Sequence, residues 1–588
     1  MTLILQITGL GLGAFVLSLA ATHFVRAQAL KKGVVAKPRE DRWHRKPTAL
    51  LGGIAIYASF MTGWLFVGPR NSQIMTVLGA ASVLFIVGLI DDLRPLKPYL
   101  RLVVQLMLAA VVVLSGLRLP WTQFEPLNDL ITIFWMVGIT NAVNLLDNMD
   151  GLAGGISLIA CVFLAVTFTG SGQYTEALIP ALLAGAIGGF LVYNFNPASI
   201  FMGDCGSTFL GFTLAGVSLL SDYGRTRNLA AVLFTPALIL LIPILDTCLV
   251  TVTRKLAGRA VSQGGRDHAS HRLVALGMSE RRAVLLLYLF ATISGALALL
   301  VRWINLEMAL LLIPGFTLCI LFLGMYLGMV RVYEEGAQPI GNATIRGLWD
   351  FTYKRRIFEV LLDVLLITMA YYGAYLLRFD GEIPGEHMRV MLSSLPLIIL
   401  LQLPFFLIGG VYRGVWRYTG LSDLVAIARA VLMGTTCSGA AVLLVYNFRG
   451  PSRGATVLYG ILLLLLMATS RISFRLLPML MGSHANYHPD ARPVLIYGAG
   501  DSGELLIREI LGNPAYRYRP VGFIDDDTRK AGKVIHGFRI FEMNEMEEVI
   551  REHGIHDILI SSAMVSDGLL DSFRSLGVNA RRMSIRFE

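Results

Sequence analysis

Long apolar stretches separated by short polar segments occupy most of the chain. Fifteen of them reach or approach about 17 to 25 residues, the length that crosses the hydrocarbon core of a bilayer as a helix. We therefore predict fifteen membrane-spanning helices, eleven in a first group and four in a second. Their approximate bounds are 3–25, 49–67, 74–90, 100–117, 127–146, 152–169, 176–193, 206–220, 229–253, 283–301 and 306–330, then 357–377, 391–412, 424–447 and 455–480.

The C-terminal segment has the pattern of a soluble domain. Residues 494–497, 521–524 and 558–561 are short apolar runs typical of buried strands, and a helical run at 504–511 lies between the first two. This β–α–β order predicts a small Rossmann-like α/β domain. The predicted organisation is a membrane domain 1–330, a linker 331–353, a four-helix membrane domain 354–483 and the α/β domain 484–588.

Composition supports a membrane protein. Hydrophobic residues make up 55% of the chain and charged residues only 15%, against roughly 25% charged residues in soluble domains. This excludes a soluble enzyme and a disordered chain, and the five cysteines, without a CxxC pair, do not indicate zinc or disulfides. The small residues at 27–29 resemble a signal-cleavage site, but no positive charge precedes the apolar run, so we expect a retained first helix.

Lysine and arginine concentrate in alternate loops, after the first, third, ninth and eleventh predicted spans. Because basic loops stay on the cytoplasmic side, the N-terminus is expected outside and, after fifteen spans, the C-terminal domain in the cytoplasm. The net charge of +10 therefore belongs to membrane topology, and no nucleic-acid partner is expected.

Carboxylates are costly in a membrane protein and need an explanation. Four polar clusters lie at predicted cytoplasmic span ends, which suggests one site. They contain Asp91 and Asp92; Asn141, Asn144, Asp147 and Asp150; Asp204; and Arg266, His268, His271 and Arg272. Hard oxygen ligands favour Mg²⁺ or Mn²⁺, and the basic residues suit phosphate, so the pattern predicts phosphoryl transfer. The alternatives are an ion-coupled transporter, whose acids would lie nearer the midplane, and a non-catalytic scaffold.

The motifs of the first half, taken together, resemble the polyprenyl-phosphate N-acetylhexosamine-1-phosphate transferases. The resemblance covers roughly residues 1–330. The matching segments are 45–48 with Lys46 and Thr48, Gly52-Gly53, Asp91-Asp92, 141–154, 201–207 with Phe201, 243–246 and 266–272.

This resemblance implies Mg²⁺-dependent transfer of a sugar 1-phosphate from a UDP-sugar to undecaprenyl phosphate, with release of UMP. By similarity, Asp147 and Asp204 would hold the metal, Asn144 would contact the nucleotide and Phe201 would stack on uracil. Asp91 and Asp92 would lie at the lipid phosphate. Further catalytic or substrate-binding positions implied by the motifs are Asp150, His268, His271, Lys46, Thr48, Asn141, Arg266 and Arg272.

Two details refine this expectation. The branch that uses a muramoyl-pentapeptide donor has adjacent histidines, whereas His268 and His271 are separated by two residues, which favours an N-acetylhexosamine donor. Asn148 occupies a position where the family commonly has glycine. Such a departure next to a metal ligand would change the turn or add a contact.

Residues 354–540 resemble a different protein, the N-terminal part of membrane-bound nucleotide-sugar dehydratases. Gly498, Gly500 and Gly503 match a dinucleotide fingerprint, and Asp525, 22 residues after Gly503, could bind a ribose hydroxyl. NAD and a nucleotide-sugar are both candidate ligands. The dehydratases' Tyr-x-x-x-Lys pair is missing, so we expect a regulatory or oligomerising module, plain scaffold being the alternative, and a homodimer as the default assembly.

Overall fold

The protein divides into two compact units, Met1–Met481 and Gly482–Glu588. A computed structural model describes residues 2–36, 47–220, 229–256, 265, 267–329, 351–412, 420–446, 452–480, 491–512, 516–561, 573 and 575–582. Lys46 and Arg266 therefore lie outside the described residues.

Thirteen helices and one short antiparallel pair of strands, β1 (Val35–Ala36) and β2 (Thr48–Ala49), are described in the first part of the larger unit. The helices are α1 (Thr2–Lys31), α2 (Gly53–Val67), α3 (Ser72–Leu93), α4 (Pro98–Leu114), α5 (Glu125–Leu146), α6 (Leu152–Gly170), α7 (Tyr174–Asn194), α8 (Gly203–Ser218), α9 (Leu229–Ile239), α10 (Leu241–Leu256), α11 (Ala269–Ala275), α12 (Glu280–Leu300) and α13 (Leu306–Met329).

Helix α8 lies at the centre of this bundle. Every residue from Cys205 to Ser218 is buried, and α3 and α5 both pack against it. The helix is rich in glycine, serine, threonine and alanine, which allow neighbouring backbones to approach closely. Gly88 of α3 faces the α8 backbone at Cys205, and Gly211 faces Thr140 of α5, and neither contact leaves room for a Cβ atom. The acidic N-terminus of α8 is thereby held between two other helix ends.

Each predicted span corresponds to helical structure, with differences in length. Eleven described helices are long and apolar enough to cross a membrane, which agrees with the predicted polytopic fold. The second, fourth and eighth predicted spans are helices α2, α4 and α8, of 15, 17 and 16 residues. The ninth, predicted as one helix over 229–253, is divided into α9 and α10 at Leu240. Pro236 and Pro243 flank this division, and proline disrupts the helical hydrogen bonds around it.

Four further helices form the second part of the larger unit around their own hydrophobic core. Leu318 of α13 belongs to this second core, while Leu323 and Leu327 of the same helix belong to the first. Helix α13 is therefore shared by both bundles. The four helices are α14 (Phe351–Arg378), α15 (Gly385–Ile408), α16 (Leu421–Val445) and α17 (Arg453–Leu480).

The smaller unit contains a six-stranded sheet in the order β5-β6-β4-β3-β7-β8. All neighbours are parallel except the β5–β6 pair, which gives the strand order of a doubly wound fold and confirms the predicted α/β domain. Its elements are β3 (Arg492–Tyr497), α18 (Asp501–Gly512), β4 (Tyr518–Ile524), β5 (Val534–Ile535), β6 (Phe538–Phe541), α19 (Met546–His553), β7 (Asp557–Ile560) and β8 (Asn579–Arg582).

Candidate active site

The C-terminal end of α3 meets the N-terminal end of α8. The Asp92 carboxylate accepts hydrogen bonds from the backbone N–H groups of Asp204, at 2.8 Å, and Cys205, at 3.0 Å. These N–H groups have no partner within the helix, and a carboxylate there also interacts favourably with the helix dipole. Gly203 precedes them at φ +80°, and a Cβ atom there would collide with the Asp92 carboxylate. Asp92 thus fixes the start of α8.

Arg101, near the start of α4, joins two other carboxylates. Its Nη1 atom lies 2.6 Å from Asp91 Oδ2 and 3.0 Å from Asp204 Oδ2. Asp91 is buried and also accepts a hydrogen bond from the backbone N–H of Leu96 at 2.5 Å. Arg101 was absent from the predicted site. Its signal in the sequence is an arginine next to an apolar run, ten residues after Asp91, where a positive charge needs a partner.

The polar face of α5 contacts the same cluster. The Asn144 amide donates to Asp204 Oδ1 at 2.8 Å and to Ser207 Oγ at 2.9 Å. One turn earlier, the Asn141 amide donates to Gln105 Oε1 of α4 at 2.7 Å. Asp147 forms the C-cap of α5. Three predicted clusters therefore meet at the ends of α3, α5 and α8.

Asp150 supports the loop that leads to Phe201. Its Oδ2 atom accepts hydrogen bonds from Ala198 N at 2.9 Å and from Asn196 Nδ2 at 3.4 Å. Phe201 itself is held by backbone bonds, since its N–H donates to Ala49 O at 2.8 Å and its carbonyl accepts from Gly52 N at 2.9 Å. These bonds place the Phe201 segment beside the Gly52-Gly53 motif.

Thr48 lies in the same neighbourhood, buried in β2. The next residue, Ala49, forms a parallel bridge with Ile200. The predicted substrate-binding positions Thr48 and Phe201 are therefore on adjacent segments.

The segment with the two histidines includes the short helix α11, whose N-terminal end is hydrogen-bonded to α10. Asp246, deep in α10, accepts a hydrogen bond from Ala269 N, and its Oδ2 lies 2.7 Å from His268 Nδ1. The His271 ring is buried next to His268, with ring centroids 5.8 Å apart. The Asp246 carboxylate thus orients the His268 ring and leaves its Nε2 atom on the opposite side.

Arg254 of α10 provides a second attachment for this loop. Its Nε and Nη2 atoms each lie 2.7 Å from an oxygen of Asp267. Burial raises the pKa of Asp267, but the hydrogen bonds and the charge of Arg254 outweigh it, so the pKa lies below its ordinary value. Asp267 therefore stays ionised near neutral pH and keeps the pair intact.

Asn148, at the position where the resemblance leads us to expect glycine, contacts this loop directly. Its Oδ1 atom accepts a hydrogen bond of 2.7 Å from Ser270 Oγ. The departure therefore adds a contact between the Asp147 turn and α11. No pattern in the sequence pairs two uncharged residues 122 positions apart.

Arg272, for which the resemblance implies substrate binding, has a guanidinium hydrogen-bonded to backbone carbonyls. Its Nε donates to Asp267 O at 2.8 Å, and its Nη1 donates to the carbonyls of Leu327, at 3.0 Å, and Gly328, at 3.2 Å. The side chain is buried and directed at the end of α13. These contacts make it part of the framework behind the histidines.

The predicted nucleotide site of the smaller unit comes together at the end of β3. Gly498 has φ +97°, and a Cβ atom on Gly503 would overlap the Gly498 carbonyl oxygen. Asp525, after β4, accepts a hydrogen bond from Ala499 N at 2.7 Å and pairs with Lys530 at 3.0 Å. Burial raises the pKa of Asp525, but the hydrogen bonds from the backbone N–H of Asp527, from Lys530 and from the backbone N–H of Ala499 outweigh it, so the pKa lies below its ordinary value.

Gly500 has open space at the position of a Cβ atom, so the turn leaves room next to the start of α18. The three glycines and Asp525 thus share one end of the sheet. This is the end at which doubly wound folds bind ligands.

Two family models match the chain. The glycosyl transferase family 4 matches residues 74–222, and a CoA-binding domain family matches residues 408–579. The first match includes Asp91, Asp92, Arg101, Asn144 and Asp204, which form the network at the start of α8. The second includes parts of both the second bundle and the α/β domain.

Curated relatives match the N-terminal half. A probable undecaprenyl-phosphate N-acetylglucosaminyl 1-phosphate transferase of Bacillus subtilis is 33% identical over 51% of this chain and 88% of its own. A decaprenyl-phosphate N-acetylglucosaminephosphotransferase of Mycolicibacterium smegmatis is 35% identical over 48% and 79%. An undecaprenyl-phosphate alpha-N-acetylglucosaminyl 1-phosphate transferase of Yersinia pestis is 28% identical over 52% and 89%.

One solved structure, of a UDP-D-quinovosamine 4-dehydrogenase from Vibrio fischeri, shares 28% identity over 16% of this chain and 78% of its own. Its TM-score is 0.15, which supports no argument about the fold.

A bundle of apolar helices, eleven of which among the described residues are long and apolar enough to cross a membrane, defines a multi-pass membrane protein. With the family match and these relatives, the chain belongs to the glycosyl transferase family 4. The predicted family membership is confirmed, and the predicted fusion to a second, separate module is supported by the CoA-binding domain match.

Proposed function

We propose that this protein transfers N-acetylhexosamine 1-phosphate from a UDP-sugar to undecaprenyl phosphate, at the cytoplasmic face of a bacterial inner membrane, and releases UMP. The observation that carries the proposal is the Asp91–Arg101–Asp204–Asn144 network, which joins four helix ends. Its place at helix ends, where a water-soluble donor and a lipid headgroup can both reach it, favours transfer over ion transport.

The proposed reaction needs little covalent chemistry from the protein. A phosphate oxygen of the lipid attacks the sugar-linked phosphorus of the donor, and the bond from that phosphorus to the UMP oxygen breaks. Because the lipid phosphate is already a nucleophile, the side chains mainly position the reactants and offset charge. Arg101 and Asn144, which both contact Asp204, are proposed to position the reactants, and Arg101 also to offset their charge.

The residues at the start of α8 fit a divalent cation such as Mg²⁺ or Mn²⁺. Asp91, Asp92 and Asp204 lie in one hydrogen-bonded network with one guanidinium, that of Arg101, so the network is rich in negative charge and in the oxygen ligands that Mg²⁺ prefers. Among the described residues, no three acidic, histidine or cysteine side chains are already arranged as a metal centre. We assign the ligand roles to Asp147 and Asp204; the cation would neutralise charge on the diphosphate.

The other side chains divide into two roles. His268 and His271 are proposed to hold the donor's diphosphate or sugar, together with Arg266. Phe201 is proposed to stack on uracil, and Asp91 to lie near the lipid phosphate. Asp92, Asp150 and Arg272 are engaged with backbone groups, so we propose that they position the others.

Lys46, Thr48 and Asn141 remain proposed substrate contacts. For the smaller unit we propose a regulatory role through a nucleotide at the Gly498–Gly503 turn, with NAD, a nucleotide-sugar and coenzyme A as the ligands to test. A homodimer is the proposed assembly.

The test is lipid-dependent release of UMP. Purified protein in nanodiscs, undecaprenyl phosphate and Mg²⁺ are offered a panel of UDP-N-acetylhexosamines. Asp147→Asn and Asp204→Asn should each lower the rate by about 100-fold or more. Asp129→Asn is the matched control, because Asp129 lies at the other end of α5 and pairs with Arg118.

Three results would contradict the proposal. UMP release without the lipid would exclude the acceptor, and full activity of Asp147→Asn would exclude the metal assignment. Ion flux into proteoliposomes, with no UMP from any donor, would favour a transporter.

A further inference from the structure

Helix α11 is short. It begins directly after His268 and includes His271. It spans seven residues, Ala269–Ala275, which is too short to be stable without tertiary contacts. Two buried attachments come from α10, namely Asp246 to His268 and Ala269, and Arg254 to Asp267. Both, together with the Ser270–Asn148 hydrogen bond, hold the N-terminal half of the helix, so the position of its remaining turn depends on further contacts.

Arg272 provides one such contact, to helix α13. Its guanidinium reaches across to the last turn of α13 and donates to the carbonyls of Leu327 and Gly328. The last carbonyls of a helix have no partner within it, and a cation there also interacts favourably with the helix dipole. The same guanidinium donates to Asp267 O. One side chain thus links the start of α11 to the end of α13.

Helix α13 also contacts the second bundle. Gly315 faces Met369 of α14, and Gly373 of α14 faces Leu311. At the far end, the backbone N–H of Ile383, after α14, donates to Glu307 Oε2 at 3.1 Å. Helix α13 therefore contacts Arg272 at its C-terminal end and packs against the second bundle along its length.

We propose that Arg272 is a positioning residue that connects the second bundle, through α13, to the histidines of the active site. The packing of α14 on α13 sets the position of the last turn of α13, and Arg272 passes that position to α11. Arg272 acts through His268 and His271 and does not touch the donor. The inference rests on the proposed transferase function, but the contact itself can be tested without activity.

The test compares Arg272→Lys with Arg302→Lys in the full-length protein in nanodiscs. Lysine keeps the charge, but its single ammonium group cannot hold Asp267 and the end of α13 together as the forked guanidinium does. Arg302 is the matched control. It follows the C-terminal end of α12, and its guanidinium donates to Thr167 O at 3.1 Å and to Ser171 Oγ at the C-terminal end of α6, away from α11.

Two readouts are used, hydrogen exchange of the α11 amides and the kinetic constants of UMP release. In Arg272→Lys, we expect faster exchange at 269–275 and a kcat/KM for the UDP-sugar about 10- to 100-fold lower, because the histidines that hold the donor are misplaced. Arg302→Lys should change neither quantity at α11. Gly315→Leu, which pushes α13 away from Met369 with Arg272 intact, should reproduce the faster exchange at α11.

The outcomes separate the two proposals. A raised KM with unchanged exchange in Arg272→Lys would mean that Arg272 binds the donor, and would overturn the inference. Unchanged exchange in Gly315→Leu would overturn the connection to the second bundle. If the wild type releases no UMP, the transferase proposal fails, while the exchange data still decide whether Arg272 holds α11.

Discussion

Arg101 shows at the scale of one residue how the site balances its charges. It contacts two carboxylates that sequence analysis assigned to different partners, Asp91 to the lipid phosphate and Asp204 to the metal. With the proposed roles, a guanidinium between them would compete with a cation for Asp204, and it would supply positive charge where phosphates would bind. We therefore predict opposite effects of Arg101 on metal binding and on catalysis.

Arg101→Ala should separate these effects. We expect the rate of UMP release to fall by about 100-fold, since one group that offsets charge is lost. The Mg²⁺ concentration for half-maximal activity should decrease, because Asp204 loses a competing positive charge nearby. Arg94→Ala, in which an exposed arginine at the C-cap of α3 is removed, is the control. This account would be contradicted if Arg101→Ala lowered the rate of UMP release less than Arg94→Ala does, or if Arg101→Ala needed more Mg²⁺ for half-maximal activity than the wild type.

At the scale of helices and strands, the lengths and the apolar composition of the segments were enough to predict which of them are helices and which are strands. Each predicted span is helical, and three predicted strands are β3, β4 and β7. The division between α9 and α10 at Leu240 was missed, although Pro236 and Pro243 marked it, because a continuous apolar run hides a break. Likewise, acid spacing predicted the polar face of α5, but only the fold shows that Asn148 contacts Ser270.

Gly203 tests whether the start of α8 fixes the site. Gly203→Ala places a Cβ atom at φ +80° and against the Asp92 carboxylate. The conformation alone costs about 1–2 kcal/mol, and the collision adds to it, so we expect a lower unfolding temperature and loss of UMP release. Gly79→Ala is the control, since Gly79 lies in α3 with open space around it and alanine favours a helix. Equal stability of the two variants would refute the role of this turn.

At the scale of the whole molecule, sequence patterns identified two membrane groups and an α/β domain. They could not show that α13 belongs to both cores, because Leu318, Leu323 and Leu327 are equally apolar in sequence. Nor could they show that Arg272 donates hydrogen bonds to the last carbonyls of α13. Such facts depend on which side of a helix meets which neighbour, and one sequence does not contain that information.

The smaller unit gives the last prediction, that a nucleotide binds at its glycine turn. A ligand at about 100 times its Kd stabilises a protein by about 2.7 kcal/mol, so NAD, a UDP-sugar or coenzyme A should raise the unfolding temperature of this unit in the full-length protein. Gly503→Ala should abolish the shift, because the added Cβ atom overlaps the Gly498 carbonyl and opens the turn.

Asp525→Asn should reduce the rise in unfolding temperature. Both carboxylate oxygens can accept hydrogen bonds from ribose hydroxyls, whereas the amide nitrogen of asparagine cannot accept one. Because the pKa of Asp525 is held below its ordinary value, the carboxylate is ionised in the wild type from about pH 5 upward, and the shift should not vary between about pH 5 and 8. Asp527→Asn, which removes an exposed pair with Arg529, should keep the full shift. If none of the three nucleotides stabilises the wild type, this unit does not act as a nucleotide sensor, and its part in the enzyme is structural.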